Sequence, residues 1–225
     1  MAAANWRRRI FIEYQPPVIR LIPITMIKIK IIISLLLLGT TLAQAQTNSA
    51  PLKVGDAVPD VKLRTEENQE VSLPKLVAEK PTVLIFYRGG WCPFCTRHLK
   101  DLVGIEEDLK KEGAQLLAIS MDTPAKLKET PGRDKLGYQL LSDSDAVAIK
   151  AFGLAFKVDD KTVEKYKGYG INLDAASGKD HHLLPHPAVF VVDKSGKILF
   201  AHFNPDYKAR LAPAKILEAV RAAKK

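Results

Sequence analysis

Cysteine is nearly absent: the 225 residues hold two. A structural zinc site normally takes four Cys or His ligands, and no second Cys-x-x-Cys or histidine pair at finger spacing supplies them. A purely structural disulfide is a poor use of the pair, because bridging residues three apart closes a very small loop and removes little unfolded-state entropy. There is no nucleotide, flavin or haem motif, so no cofactor is expected and sulfur is the redox agent in view. Internal repeats and low-complexity linkers are missing too. Basic residues outnumber acidic ones 34 to 25, a formal +9. Residues 1–45 hold six of the basic and one of the acidic residues, so the remaining 28 and 24 leave +4. Those charges are scattered rather than clustered, and nucleic-acid binding is not implied.

The first 45 residues read as a leader. Arg7 to Arg9 and Pro16-Pro17 precede Met26, after which Ile27-Lys28-Ile29-Lys30 leads into an apolar stretch from Ile31 to Leu38 and then Ala43-Gln44-Ala45. A basic region, a short apolar region and a small-x-small site make a secretory signal peptide. Met26 stands where a natural start would be, making residues 1–25 an upstream extension, and cleavage is expected after Ala45. The apolar stretch is short for a membrane span, so the mature form is expected to have none; an uncleaved N-terminal anchor is the rival reading. An exported protein, periplasmic or secreted, keeps its thiols where disulfides persist, and then needs a donor of electrons.

About 175 residues remain, enough for one domain with a full core, taken as residues 50–225. Strands are expected at Thr82 to Tyr87, Gln115 to Met121, Ala188 to Val192 and Lys197 to Phe203, each short and rich in Val, Ile, Leu or Phe. Leu99, Leu102, Val103 and Leu109 recur at helical spacing after the cysteines, and Ile216, Leu217 and Val220 do so behind Pro213. A helix between the first two strands requires them to be parallel, and the turn Asp193-Lys194-Ser195-Gly196 makes the last two a hairpin. This is an α/β chain with a central mixed sheet flanked by helices.

The two cysteines sit in Phe86-Tyr87-Arg88-Gly89-Gly90-Trp91-Cys92-Pro93-Phe94-Cys95, where a buried strand hands over to a helix. Backbone amides there point at the first sulfur and favour its thiolate. Cys92 is therefore the candidate nucleophile, with Arg88 four residues away to add positive potential. Cys95, a turn further in, is placed to resolve a mixed disulfide or sulfenic acid. Pro93 suits the first helical turn, where its missing N–H costs nothing. Trp91 either shields the sulfur or is simply a packed aromatic, and Arg88 has the alternative of a solvated strand-end cation.

Cys-x-x-Cys opening the first long helix resembles the thioredoxin fold. More closely, the chain resembles the alkyl hydroperoxide reductase and thiol-specific antioxidant (AhpC/TSA) family in its peroxiredoxin-like branch. Val54 to Asp60, Tyr87 to Cys95 with its Trp-Cys-Pro-Phe-Cys site, and Pro187 to Asp193 carry the resemblance; Ala118 to Asp122 and Leu140 to Asp143 look like that family's strand ends. The resemblance implies an antioxidant thiol oxidoreductase that reduces hydroperoxides through a Cys92/Cys95 dithiol-disulfide cycle and is itself reduced by a thioredoxin-like protein. A disulfide reductase acting on protein disulfides is the alternative. Pro187 resembles the cis-proline that faces Cys-x-x-Cys in thioredoxin folds, which would set His186 beside the sulfurs.

Two departures stand out. Typical peroxiredoxins carry Thr or Ser three residues before the peroxidatic cysteine and an Arg on a nearby strand; here those positions hold Gly89 and Pro187. Thioredoxins place a buried acid six residues before the first cysteine, where this chain has Phe86, so proton transfer would need another group or water. From a different class, a copper or zinc carrier could pair the cysteines with a histidine of His181, His182 or His186. The stretch from Lys161 to Asp180 is expected as a solvated loop able to cover the cysteines, and Phe152, Phe156, Tyr166 and Tyr169 are assigned either to its apolar mouth or to the core.

Overall fold

The computed structural model describes residues 50–224, so the leader expected over residues 1–45 lies outside the described residues. The first elements are short: β1 (Lys62–Arg64), β2 (Glu70–Ser72) and α1 (Leu73–Glu79). The expected strand and long helix follow as β3 (Thr82–Phe86) and α2 (Pro93–Lys111), then β4 (Gln115–Ser120), α3 (Pro124–Lys128), β5 (Gln139–Ser142) and α4 (Val147–Ala151). The remainder is β6 (Ala155–Lys157), α5 (Asp160–Gly168), α6 (Leu173–Ser177), β7 (Leu183–Pro185), β8 (Ala188–Val192), β9 (Ile198–Phe203) and α7 (Pro213–Ala222). Seven strands form one mixed sheet in the order β2-β1-β5-β4-β3-β8-β9. As expected, β3 and β4 run parallel across the α2 crossover, and β8 and β9 form an antiparallel hairpin.

The central strands are buried on both faces, and their period of two divides the core. Val83, Ile85 and Tyr87 point to the side covered by α2 and α7, among Cys92, Cys95, Leu99, Leu102, Ile216 and Val220. Leu84 and Phe86 point to the other side, with Leu73, Val77, Ile149 and Phe152. Phe152 is a core residue: its ring packs 4.7 Å from Phe86 and 5.2 Å from Phe190. The cysteines thus belong to one core layer, at the end of the most buried strand.

The stretch from Lys161 to Asp180, expected as a loop, is instead mostly α5 and α6. Asp159 and Asn172 cap these helices by accepting the N–H of Thr162 and Ala175, and Val163, Leu173 and Ala176 are their buried anchors. Lysines and glycines dilute that apolar signal below what periodicity detects. The strands that were not anticipated, β1, β2, β6 and β7, have three residues each, too few for an alternation to be read. Pro185 also disguises β7, whose partner β6 forms a separate two-stranded ribbon with it. Among the described residues no helix is long and apolar enough to cross a membrane.

Candidate active site

At the end of β3 the chain keeps one further ladder bond, Tyr87 N–H to Ile119 O, and then turns through Gly89-Gly90. The Cys92 N–H closes that turn on Gly89 O at 3.1 Å, and Cys92 becomes the residue that precedes α2 with Pro93 at its first position. Cys95 and Thr96 return their N–H groups to Cys92 O. Both cysteines are free thiols and each is 1% exposed. Pro93 therefore has the helix-starting place expected of it.

The two sulfurs are chemically unlike. Cys92 is shifted toward the thiolate, chiefly by a hydrogen bond from the Cys95 thiol; burial opposes the shift, and the Cys95 N–H and the charges of Arg88 and Arg210 add to it. Cys95 is pushed the other way, first by burial and then by the proton it shares with Cys92. A thiolate beside a protonated thiol can run dithiol-disulfide exchange. Titration of the reduced protein, followed by ultraviolet thiolate absorbance, is expected to show Cys92 ionising at about 6 instead of the usual thiol range. Because the folded site favours the charged form, alkylation by iodoacetamide should be fast and level above pH 7 and fall as pH drops through 6.

Arg88 is not the solvated cation of the alternative reading. It is 3% exposed and enclosed by rings, its guanidinium lying 4.9 Å from the Trp91 centroid, 5.3 Å from Tyr166 and 4.4 Å from Tyr207. Its Nη2 donates to the Tyr166 hydroxyl at 2.6 Å. Trp91 is half-buried and packs against both core layers as well as Arg88, so it is a packed aromatic at the rim of the site. Of the other candidate aromatics, Tyr166 alone joins this cluster; Tyr169 is 67% exposed.

Sequence reasoning missed Arg210, which lies 115 residues from Cys95 with no local motif to mark it. Its Nη2 donates to Cys95 Sγ at 3.3 Å, while Nη1 is held by the carbonyls of Tyr207 and Ala209. The segment carrying it, residues 204–212 between β9 and α7, is fastened over the cysteines at two further points. Tyr207 meets Phe94 edge to face at 5.7 Å, and His98 Nε2 donates to Leu211 O at 3.2 Å. Burial holds His98 down at about 4, so it is a neutral donor there.

Sequence reasoning also missed Asp122 as a site residue, although it closes the strand end Ala118 to Asp122 that resembles the family's. It is 1% exposed just beyond β4, and its Oδ2 accepts the Gly90 N–H at 2.6 Å and the Ser120 hydroxyl at 3.2 Å. Its Oδ1 is buried without a partner. Burial raises this carboxyl to about 6 against those two donors. The side chain lines a cleft of about 330 Å³ together with Gly90, Trp91, Lys126 and Glu129. Its presence explains the departure at residue 89. A Cβ there would come within 2.3 Å of Trp91 Nε1 and 2.7 Å of Asp122 Oδ1, so any larger residue would force one of these side chains to move.

Two expectations carried by resemblance are corrected. There is no cis peptide bond among the described residues, so Pro187 is trans. His186 does not sit as a partner of the sulfurs: its ring stacks on Phe156 at 4.4 Å and meets Phe203 edge-on at 5.3 Å, because a half-buried imidazole finds apolar cover on the β6 ribbon. The other two histidines are engaged as well, His181 with Ser144 O and His182 with Asp174. Among the described residues no group of three or more His, Cys, Asp or Glu is gathered to hold a metal ion.

Known proteins point the same way as this geometry. A profile of the AhpC/TSA family matches residues 54–201. Peroxiredoxin Bcp of Escherichia coli K12 is 33% identical over 104 residues, which is 46% of this chain and 66% of that relative's length. A putative peroxiredoxin bcp of Helicobacter pylori 26695 is 27% identical over 169 residues, 75% of this chain and 98% of the relative. Among solved structures, the peroxidoxin BcpB of Mycobacterium tuberculosis superposes with a TM-score of 0.60 at 23% identity, over 76% of this chain and 97% of that one. Peroxiredoxin Q of Xanthomonas campestris does so at 0.58 and 21%, over 79% and 100%. The expected thioredoxin-like fold is thereby met, and the chain belongs to the AhpC/TSA family.

Proposed function

We propose that this protein is a thiol-dependent antioxidant oxidoreductase that reduces hydroperoxides. The observation that carries this reading is the polarised pair, a Cys92 thiolate at the head of α2 against a Cys95 thiol, with two guanidinium groups beside them. Cys92 attacks the outer peroxide oxygen; the O–O bond breaks, the sulfur becomes a sulfenic acid, and the departing alkoxide takes a proton to leave as alcohol. Cys95 then displaces hydroxide from that sulfur, giving the disulfide and water. A thioredoxin-like dithiol returns both cysteines to thiols and is itself oxidised.

The burial of both sulfurs favours a small oxidant over a folded protein disulfide, since a peroxide needs far less of the covering segment 204–212 to move. Export, to the periplasm or beyond the cell, is part of the proposal and rests on the pattern from Met26 to Ala45. The test uses reduced protein and compares oxidation by stoichiometric hydrogen peroxide or an organic hydroperoxide with oxidation by a protein disulfide. Peroxide is expected to react much faster than it does with a free thiol at the same pH. A rate no better than free thiol, with rapid reaction of the disulfide, would overturn the peroxidase reading in favour of disulfide reduction.

A further inference from the structure

Negative charge falls on the Cys95 sulfur twice in the proposed cycle: when it attacks Cys92 to close the disulfide, and when the reductant attacks Cys92 and Cys95 is expelled. Burial opposes that charge both times. Phe86, at the place of the thioredoxin acid, lies among Phe152 and Phe190 and has nothing to offer.

Among the described residues, one side chain from outside the Cys-x-x-Cys turn donates to this sulfur. Arg210 sets Nη2 3.3 Å from Cys95 Sγ, while its Nη1 donates to the carbonyls of Tyr207 and Ala209. Two carbonyls of its own segment thus fix the plane of the guanidinium, and the other arm of the fork meets the sulfur. The ionisable groups facing Cys95 are Cys92 on its own helix, Tyr87 and Arg88 from the end of β3, Asp122 from beyond β4 and Arg210. The second cation, Arg88, gives its Nη2 to the Tyr166 hydroxyl instead.

Fastening the covering segment does not account for Arg210. Tyr207 on Phe94 and His98 on Leu211 O already hold residues 204–212 in place, and the Asn204 N–H adds a bond to Pro187 O at 3.1 Å. Arg210 Nε is buried with no partner, which costs stability rather than adding it. No acid neutralises the guanidinium either: among the described residues the arginines in ion pairs are Arg133 and Arg221. The anion within its reach is a cysteine sulfur.

We infer that Arg210 is a catalytic residue of the dithiol cycle, a fixed guanidinium that stabilises negative charge on the Cys95 sulfur as it attacks and as it leaves. The inference rests on the dithiol cycle proposed above, though not on peroxide being the oxidant. A donor already aimed at the atom where charge develops needs no reorganisation during the step, and burial strengthens its effect. In closure the Cys95–Cys92 bond forms, the group on Cys92 departs with its electron pair, and the Cys95 proton ends on that group. A sulfenic acid thus gives water, and a mixed disulfide gives a free thiol. In reduction a thiolate of the reductant bonds to Cys92, the Cys92–Cys95 bond breaks, and Cys95 takes the electron pair. The reductant's second thiol then displaces Cys92 as a thiolate, and its proton ends on Cys95.

The test loads reduced protein with one equivalent of methyl methanethiosulfonate, which places a methylthio group on the Cys92 thiolate and releases methanesulfinate. Closure by Cys95 then expels methanethiol, and intact mass of acid-quenched samples gives its rate per loaded molecule, whatever the loading rate of each variant. Arg210→Gln, which removes the charge and keeps a polar side chain, should close about 10²-fold more slowly at pH 7, the scale of one lost donor to developing charge. Arg210→Lys keeps the charge without the fixed fork and should fall between Arg210→Gln and wild type. A second readout separates charge from cover. In the Cys92→Ser background, ultraviolet thiolate absorbance follows the ionisation of Cys95 alone, and adding Arg210→Gln should move its midpoint about one pH unit higher. A segment that is merely loosened would admit water and move that midpoint lower. Arg210→Met, which keeps the stem, replaces Arg210→Gln in both readouts if the latter does not fold. Closure in Arg210→Gln within threefold of wild type, closure in Arg210→Lys no faster than in Arg210→Gln, or a Cys95 midpoint that stays or falls would overturn the inference. Absence of any loading at Cys92 would instead overturn the dithiol cycle and the inference with it; slow peroxide reaction alongside closure that still depends on Arg210 would count against the peroxidase reading alone.

Discussion

Cys92→Ser should reduce peroxide consumption to the level of buffer, whereas Cys95→Ser should consume one equivalent quickly and then stop. The difference follows from the division of labour between the sulfurs. Cys92 carries the thiolate, and a serine hydroxyl in its place stays protonated at neutral pH and cannot attack. In Cys95→Ser a hydroxyl donor replaces the thiol whose hydrogen bond is the largest cause of that thiolate, so the first attack should stay fast. With no resolving thiol, the sulfenic acid on Cys92 should persist, be trapped by dimedone, and advance to the sulfinic acid under excess peroxide. Mass spectrometry of the two variants checks this. Rapid peroxide reaction in Cys92→Ser, lost only in Cys95→Ser, would reverse the assignment of nucleophile.

Gly89→Thr would supply the hydroxyl that typical peroxiredoxins have three residues before the reactive cysteine, yet it should damage the protein. The new Cβ would collide with Trp91 Nε1 and Asp122 Oδ1 before the hydroxyl found a role. Relief requires Trp91 to leave its packing on Arg88, or Asp122 to leave the Gly90 N–H and Ser120. Overpacking of this kind costs about 1–3 kcal/mol, and an unsatisfied buried group adds about 1–3 kcal/mol more. Urea unfolding should show a loss on that scale, and peroxide reaction should fall rather than rise. A variant as stable as wild type with faster peroxide reaction would mean that the site has room for the hydroxyl and that Asp122 is dispensable.

The site was legible where its chemistry is local. The strand Val83 to Phe86, the glycine turn and Pro93 after Cys92 lie within a dozen consecutive residues, so hydrophobic run, breaker and helix start could be read in order. The same reasoning found the parallel β3/β4 crossover and the β8/β9 hairpin, because connection length fixes strand direction. It failed for α5 and α6, whose few buried anchors are diluted by lysine and glycine, and for three-residue strands that pair only because neighbouring elements hold them.

By itself, then, the sequence determined the Cys-x-x-Cys turn, its place at the head of a helix and the α/β order that surrounds it, since each depends on contacts within a few residues. Tertiary structure alone decided the electrostatics around the sulfurs. Arg210 reaches Cys95 from 115 residues away, and Asp122 arrives from the neighbouring strand end rather than from β3. Arg88 changes from an apparent surface cation to a buried one because Trp91, Tyr166 and Tyr207 converge on it from three separate segments. Charge and burial act through space, so the groups that set which cysteine is ionised are fixed by the fold.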